Sequence, residues 1–221
     1  MIYILHGDDV AASRTRLGEL TSEFASVTTL DGEKATTADL VQALSTSDLF
    51  LDAKCVVVEK VLRLPKKEMD KLLDLIFSNS NTIILWHNTE LSKTFFSKVK
   101  QAKVEVFMLP KLFFTFLDGF YPGNFKRELD LLQRMENVEA EQIFYALVKR
   151  MRQMLHLKLH VSSEELSKMS PWQMGKVQDQ AGHWELGELE KMYGELFGLE
   201  KKIKTSGLAL PLKKHLDFLL I

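Results

Sequence analysis

Apolar residues in the first half of the chain fall into short continuous runs, separated by stretches with helical spacing. Residues 2–5 (IYIL) predict a strand. Residues 11–24 carry Leu17, Leu20 and Phe24 one helical turn apart. A second strand is predicted over 27–30 (VTTL), then a turn at DGEK and a helix over 37–45 with Leu40, Val41 and Leu44 on one face. The run CVVVE at 55–59 has no polar alternation, which predicts a strand buried on both faces. A helix over 66–77 turns Met69, Leu72, Leu73 and Ile76 inward; TIILW at 82–86 repeats the buried-strand pattern. A helix over 91–100 and a last strand over 104–109 (VEVFML) close the series. Such alternation predicts an α/β fold, a parallel sheet of five strands with helices on both faces.

After Pro110 the strand signal stops. Residues 112–119, 124–135 and 140–160 all show helical spacing, with Pro122-Gly123 as punctuation and Asn124 as a candidate N-cap. Ser162 and Glu165 have capping-box spacing. Ser170-Pro171 opens a further helix by the N-cap and N1 preference, and Gly182 ends it. A helix over 185–204 is stopped by Ser206-Gly207, and a final one starts near Pro211. The expected organisation is an α/β domain over 1–110 followed by an all-α domain over 111–221, without internal repeats or low-complexity segments.

The 221 residues are 46% apolar and 27% charged, the profile of an ordinary folded domain. A net charge of -1 means that any nucleic-acid contact must be local. The single cysteine, Cys55, excludes an internal disulfide framework and fits a reducing cytosol. The apolar run in MIYILHGDD is too short, and lacks the basic flank, for a signal peptide. No apolar stretch is long enough to span a bilayer, so no membrane partner is expected.

The junction HGDDVAAS sits where many α/β proteins hold a phosphate. It has one glycine, no GK[ST], and two adjacent carboxylates, Asp8 and Asp9, that would repel a polyphosphate. GxGxxG is also absent. The turn is expected to be undecorated, the two aspartates stabilising the helix N-terminus through its dipole. Glu59 ends an apolar strand, where a magnesium-holding acid could sit, but without a phosphate cradle it is expected to face solvent or pair with a lysine. Asn88 has the position of a polar sensor with no nucleotide to sense. His156 and His160 in HLKLH lie four apart, yet Leu157 stands where a zinc protease needs its glutamate base. His6, His87, His183 and His215 have no evident partner, and no GxSxG occurs. Cys55, inside a buried run, is expected to be an inert core thiol. No catalytic residue, cofactor or metal site is expected.

Residues 44–52, LSTSDLFLD, place Leu49, Phe50 and Leu51 together in a helix-to-strand connection, which usually favours polar residues. They either fold back onto the core or form an apolar tip for a partner's pocket.

Several stretches together resemble the delta subunit of the bacterial DNA polymerase III clamp loader. They are YILHGDDVAASRTRL, LSTSDLFLDAKCVVVEK, VKRMRQMLHLK, SPWQMGKVQDQAGHWELGELEKMYGEL, and the closing KKIKTSGLAL and LKKHLDFLLI. The resemblance covers both halves of the chain. It implies an AAA+-like core, related to RecA-like sheets, that has lost nucleotide binding, followed by a helical collar. It implies a Leu-Phe pair, here Leu49 and Phe50, that enters a hydrophobic pocket on the sliding clamp (the beta subunit) and promotes ring opening. Ser47 stands where some relatives have another apolar residue, which implies a narrower wedge. The implied partners are the clamp, other loader subunits through the helical domain, and primer-template DNA. The family's complex is a DNA polymerase, but this chain is expected to contribute no catalysis. One departure is expected: MLPK at 108–111 leads straight into LFFTFLDGF, so the lid domain between core and collar is missing.

Two other readings stay open. One is an NTPase or nucleotide-related α/β enzyme, supported by fold class alone. The other is direct DNA binding through Lys149, Arg150, Arg152, Lys158, Lys201, Lys202 and Lys204, against the plainer reading of solvated helix faces. Phe113, Phe114, Phe116 and Leu117 are candidates for core or for a subunit interface.

Overall fold

The buried runs pair side by side. The computed structural model describes residues 1–45, 54–64, 66–77, 81–96, 99 and 101–221. The chain divides into two compact units, Met1–Leu109 and Pro110–Ile221. In the first, β1 (Ile2–His6), β2 (Ser26–Asp31), β3 (Lys54–Glu59), β4 (Thr82–His87) and β5 (Lys103–Val106) form one sheet in the order β2-β3-β4-β1-β5. Every pairing is parallel, and the register sets Ile4 between Leu85 and Val104. Parallel neighbours need crossovers. These carry α1 (Val10–Ser22), α2 (Thr37–Ser45), α3 (Lys66–Phe77) and α4 (Lys93–Phe96).

The period of two along β3 and β4 splits the core into two layers. Val56, Val58, Ile83 and Leu85 join Ile4 against Leu40 and Leu44 of α2 and Leu72 of α3. Cys55, Val57, Ile84 and Trp86 join Leu5 against Leu17 and Leu20 of α1. Each fully buried aliphatic side chain here contributes about 1.5–3 kcal/mol. The edge strands β2 and β5 are more exposed, as edges must be. Burial pushes the Cys55 thiol up to about 11, so it behaves as core rather than as a nucleophile.

Most boundaries shift by a residue or two from the sequence pattern, and two shifts have visible local causes. α4 starts at Lys93 rather than 91, because the Leu91 N–H donates to Nδ1 of buried His6 (3.1 Å) ahead of the helix. β5 stops at Val106 rather than 109, because Phe107 to Leu109 cross over the turn after β1, as described below.

The second unit is built of α5 (Lys111–Gly119), α6 (Phe125–Arg134), α7 (Ala140–Lys158), α8 (Glu164–Ser167), α9 (Pro171–Gly182), α10 (Leu186–Lys204) and α11 (Leu212–Phe218). α7 is central: Ile143, Phe144, Leu147, Met151 and Met154 are buried along it, and α5, α9, α10 and α11 pack around it. Phe113, Phe116 and Leu117 are core, whereas Phe114 stays 41% exposed. Ser170 and Gln173 form a reciprocal capping box, with Pro171 at the first helical position. α8 is capped one residue later than its spacing predicts. Ser163 Oγ, not that of Ser162, accepts from the Leu166 N–H (3.3 Å), and Glu165 pairs instead with Arg152 (2.5 Å). His160 lies beyond the end of α7 with a left-handed backbone, so His156 and His160 do not share a helix face.

Asn124 occupies the N-cap position of α6, but its side chain donates rather than caps: Nδ2 reaches the Gly119 carbonyl (2.7 Å) and Oε1 of Glu128 (2.9 Å). Glu128 is fully buried, and burial pushes its carboxyl up from an ordinary 4.5 to about 7, against the opposing pull of Arg127. Folding therefore favours the protonated acid. Glu128 contributes its full stability below about pH 4.5, and that contribution is lost as pH rises through 7. Urea unfolding should show the parent losing about 2–3 kcal/mol between pH 5 and pH 8 that Glu128→Gln retains. An equal pH response in both proteins would mean that the carboxyl is charged in the folded chain.

Candidate functional site

The turn between β1 and α1 is filled by the chain itself. Gly7 has φ +134°, and a Cβ there would lie 1.8 Å from the Phe107 carbonyl oxygen. The glycine is required by this backbone approach. The Asp9 N–H donates to that same carbonyl (3.0 Å), and the Phe107 N–H returns to the His6 carbonyl (2.8 Å). Asp9 caps α1 by accepting from the Ala12 N–H (3.1 Å), as a helix-stabilising acid should. Asp8 acts otherwise than its sequence position suggests: Oδ1 accepts from the Leu109 N–H (2.7 Å) and pins the segment after β5. A phosphate cradle needs converging, available N–H groups. Here the Asp9 donor is spent on Phe107 and a carboxylate stands beside it.

The acid at the end of β3 is also committed. Glu59 pairs with Arg14 of α1, the second contact being 2.8 Å from Nη2 to Oε2. It was expected to face solvent or meet a lysine; the arginine reaches it because the guanidinium stacks 3.8 Å from the centre of the Trp86 ring. Trp86 in turn donates to Ser13 Oγ (3.2 Å). Asn88 is exposed.

The expected clamp-binding residues Leu49 and Phe50, with Ser47, lie outside the described residues. The flanking elements end at Ser45 in α2 and resume at Lys54 in β3.

In the helical unit, α5, α7, α8 and α9 enclose a groove of about 540 Å³. It gathers some of the expected DNA-contact residues and parts them by role. Arg150 is largely buried; its Nη1 donates to Asp118 (3.1 Å) and to Oε1 of Gln180 (2.9 Å). Gln180 in turn donates to the Leu117 and Phe120 carbonyls, both at 2.8 Å, closing the end of α5. Burial lowers the pKa of Arg150 while Asp118 holds the proton on. Arg152 is held by Glu165. Lys149 is exposed on the rim, and no ion pair reaches it among the described residues. Lys176 pairs with Asp118 and sits 4.3 Å over the ring of Trp172, which is 69% exposed.

No family model matches the chain, and no curated protein matches it. Among solved structures it is similar to the DNA clamp loader delta protein of Bacillus subtilis, at 14% identity over 99% of this chain and 94% of that one, with a TM-score of 0.48. It is similar to a DNA polymerase III gamma subunit-related protein of Thermotoga maritima, at 18% identity over 100% and 92%, with a TM-score of 0.39. It is also similar to the RuvB Holliday junction branch migration motor of Thermotoga maritima, at 15% identity over 81% and 61%, with a TM-score of 0.37.

The sequence reading missed three features of the groove. Gln153 is only 5% exposed and lines the groove, and no hydrogen bond from another described residue reaches its amide. Nothing in the local pattern marks it, because it looks like any polar residue in a long helix. Asp118 was missed for the same reason. Trp172 had a readable signal: Lys176 four residues later puts the cation over the ring on one helix face. Among the described residues no three His, Cys, Asp or Glu side chains cluster for a metal, and no helix is long and apolar enough to cross a membrane.

Proposed function

We propose that this chain is a non-catalytic, clamp-loader-like subunit of a DNA replication machine. The observation that carries the reading is the filled turn after β1. A sheet with helices on both faces keeps the junction where nucleotide is usually bound, and the chain occupies that junction with Phe107, Asp8 and Asp9. This supports a subunit that works by binding rather than by hydrolysis. The sequence resemblance to the delta subunit supplies the rest: Leu49 and Phe50 as the wedge for the sliding clamp, the α/β domain over 1–110 as a nucleotide-free AAA+-like core, and the helical domain over 111–221 as a collar that joins other subunits without an intervening lid. Exposed Phe197 and Phe218 on that domain are apolar surface of the kind such assembly would cover. Of the residues expected to contact primer-template DNA, Arg150 and Arg152 already serve carboxylates, which weighs against a DNA track along α7.

Two titrations by calorimetry test the reading. Magnesium ATP should give no binding heat, and the sliding clamp from the same source should bind at micromolar concentration or tighter. ATP binding would overturn the reading of the turn. Failure to bind any clamp would overturn the assignment.

A further inference from the structure

We propose that the groove between α5, α7, α8 and α9 docks an extended acidic segment of a partner protein, anchored by one bulky apolar side chain. Three observations converge on it. Phe114 and Trp172 stand exposed at a cavity large enough for a few residues of peptide, an apolar anchor site of the kind that interface hot spots fill. The ionisable side chains that line it are four cations (Lys149, Arg150, Lys168 and Lys176) against two carboxylates (Asp118 and Glu165), in a chain whose net charge is -1. Buried Gln153 brings an amide with a donor and an acceptor side by side, the complement of a peptide N–H and C=O.

The same features weigh against nucleic acid. A strand needs a track of available cations along its backbone. Here Arg150 and Lys176 share Asp118 and Lys168 meets Glu164, which leaves Lys149 as the lining cation no ion pair reaches among the described residues: it can meet one side-chain carboxylate but gives a phosphate backbone no track. Phosphate oxygens are acceptors only and would leave the Gln153 carbonyl unmet. The site lies in the helical unit and does not depend on the clamp-binding segment.

The test is selection of random dodecapeptides displayed on phage against the full chain, followed by synthesis of the enriched peptides and affinity measurement by fluorescence anisotropy. Enriched peptides should carry net negative charge and an aromatic, leucine or methionine residue. They should shift the emission of exposed Trp172 to the blue. Trp172→Ala and Lys149→Glu should each weaken them about tenfold or more, and Trp172→Phe should restore most of the loss. Gln153→Leu should weaken them similarly without lowering the melting temperature, because the amide holds no other described residue. Clamp binding should be unchanged in all four variants. Enrichment equal on a Trp172→Ala control, or of peptides without acidic residues, would overturn the proposal. So would tighter, Trp172-dependent binding of a twenty-residue oligothymidylate.

Discussion

Replacing Leu49 and Phe50 together by alanine is expected to weaken binding to the sliding clamp at least about 100-fold, with the fold intact. Burying one leucine and one phenylalanine is worth roughly 3–6 kcal/mol gross. Part of that gross term is spent on lost mobility and desolvation when the proteins associate. A loss of two decades corresponds to about 3 kcal/mol, which leaves the remaining affinity to polar contacts around the anchor. Circular dichroism and the unfolding midpoint of the variant, measured beside the parent, separate a lost contact from a lost fold. The clamp-binding isotherms of the two proteins decide the matter. Equal affinity would leave the clamp as partner and move the contact elsewhere on the chain. If the double variant fails as expected, ring opening becomes measurable: a ligand shifts a closed-to-open equilibrium only by its preference for the open state. The variant should then lose ring opening together with affinity.

Gly7→Ala is expected to destabilise the α/β unit by at least about 3 kcal/mol, a large share of the stability of an ordinary domain. At φ +134° an alanine is strained, and its Cβ would lie 1.8 Å from the Phe107 carbonyl oxygen. Relief would require the segment after β5 to move. That movement would break the Asp9 to Phe107 and Leu109 to Asp8 hydrogen bonds together. Gly18→Ala, inside α1 with nothing within 4 Å of the added carbon, is the matched control and should stabilise by up to about 1 kcal/mol. Urea unfolding of the three proteins distinguishes the readings of the turn. If Gly7 served a ligand instead of a backbone contact, Gly7→Ala would retain the parent's midpoint.

The sheet was legible because its central strands are buried on both faces. Continuous runs such as CVVVE and TIILW admit few alternatives when helical segments separate them. Helix starts were legible where one residue carries the signal, as at Ser170-Pro171. They slipped where side chains had competing partners. Glu165 left the capping box for Arg152, a residue on another helix, and Asn124 turned its amide to Gly119 and Glu128. No window of local sequence contains those partners.

The candidate sites divide in the same way. The sequence by itself determined that this chain has an α/β half and a helical half, that its first turn lacks the glycines and lysine of a phosphate loop, and that an apolar triplet interrupts a polar connection. These are properties of composition and spacing along a few neighbouring residues. Only the tertiary structure decided that Gly7 answers to the Phe107 carbonyl, that Glu59 belongs to Arg14, that Arg150 is a half-buried strut for Asp118 while Lys149 remains on the surface, and that Gln153 and Trp172 line one groove. Each of those joins residues tens of positions apart or on separate helices. Charge pairing and burial depend on distance through space, which the order of residues constrains only once the chain has folded.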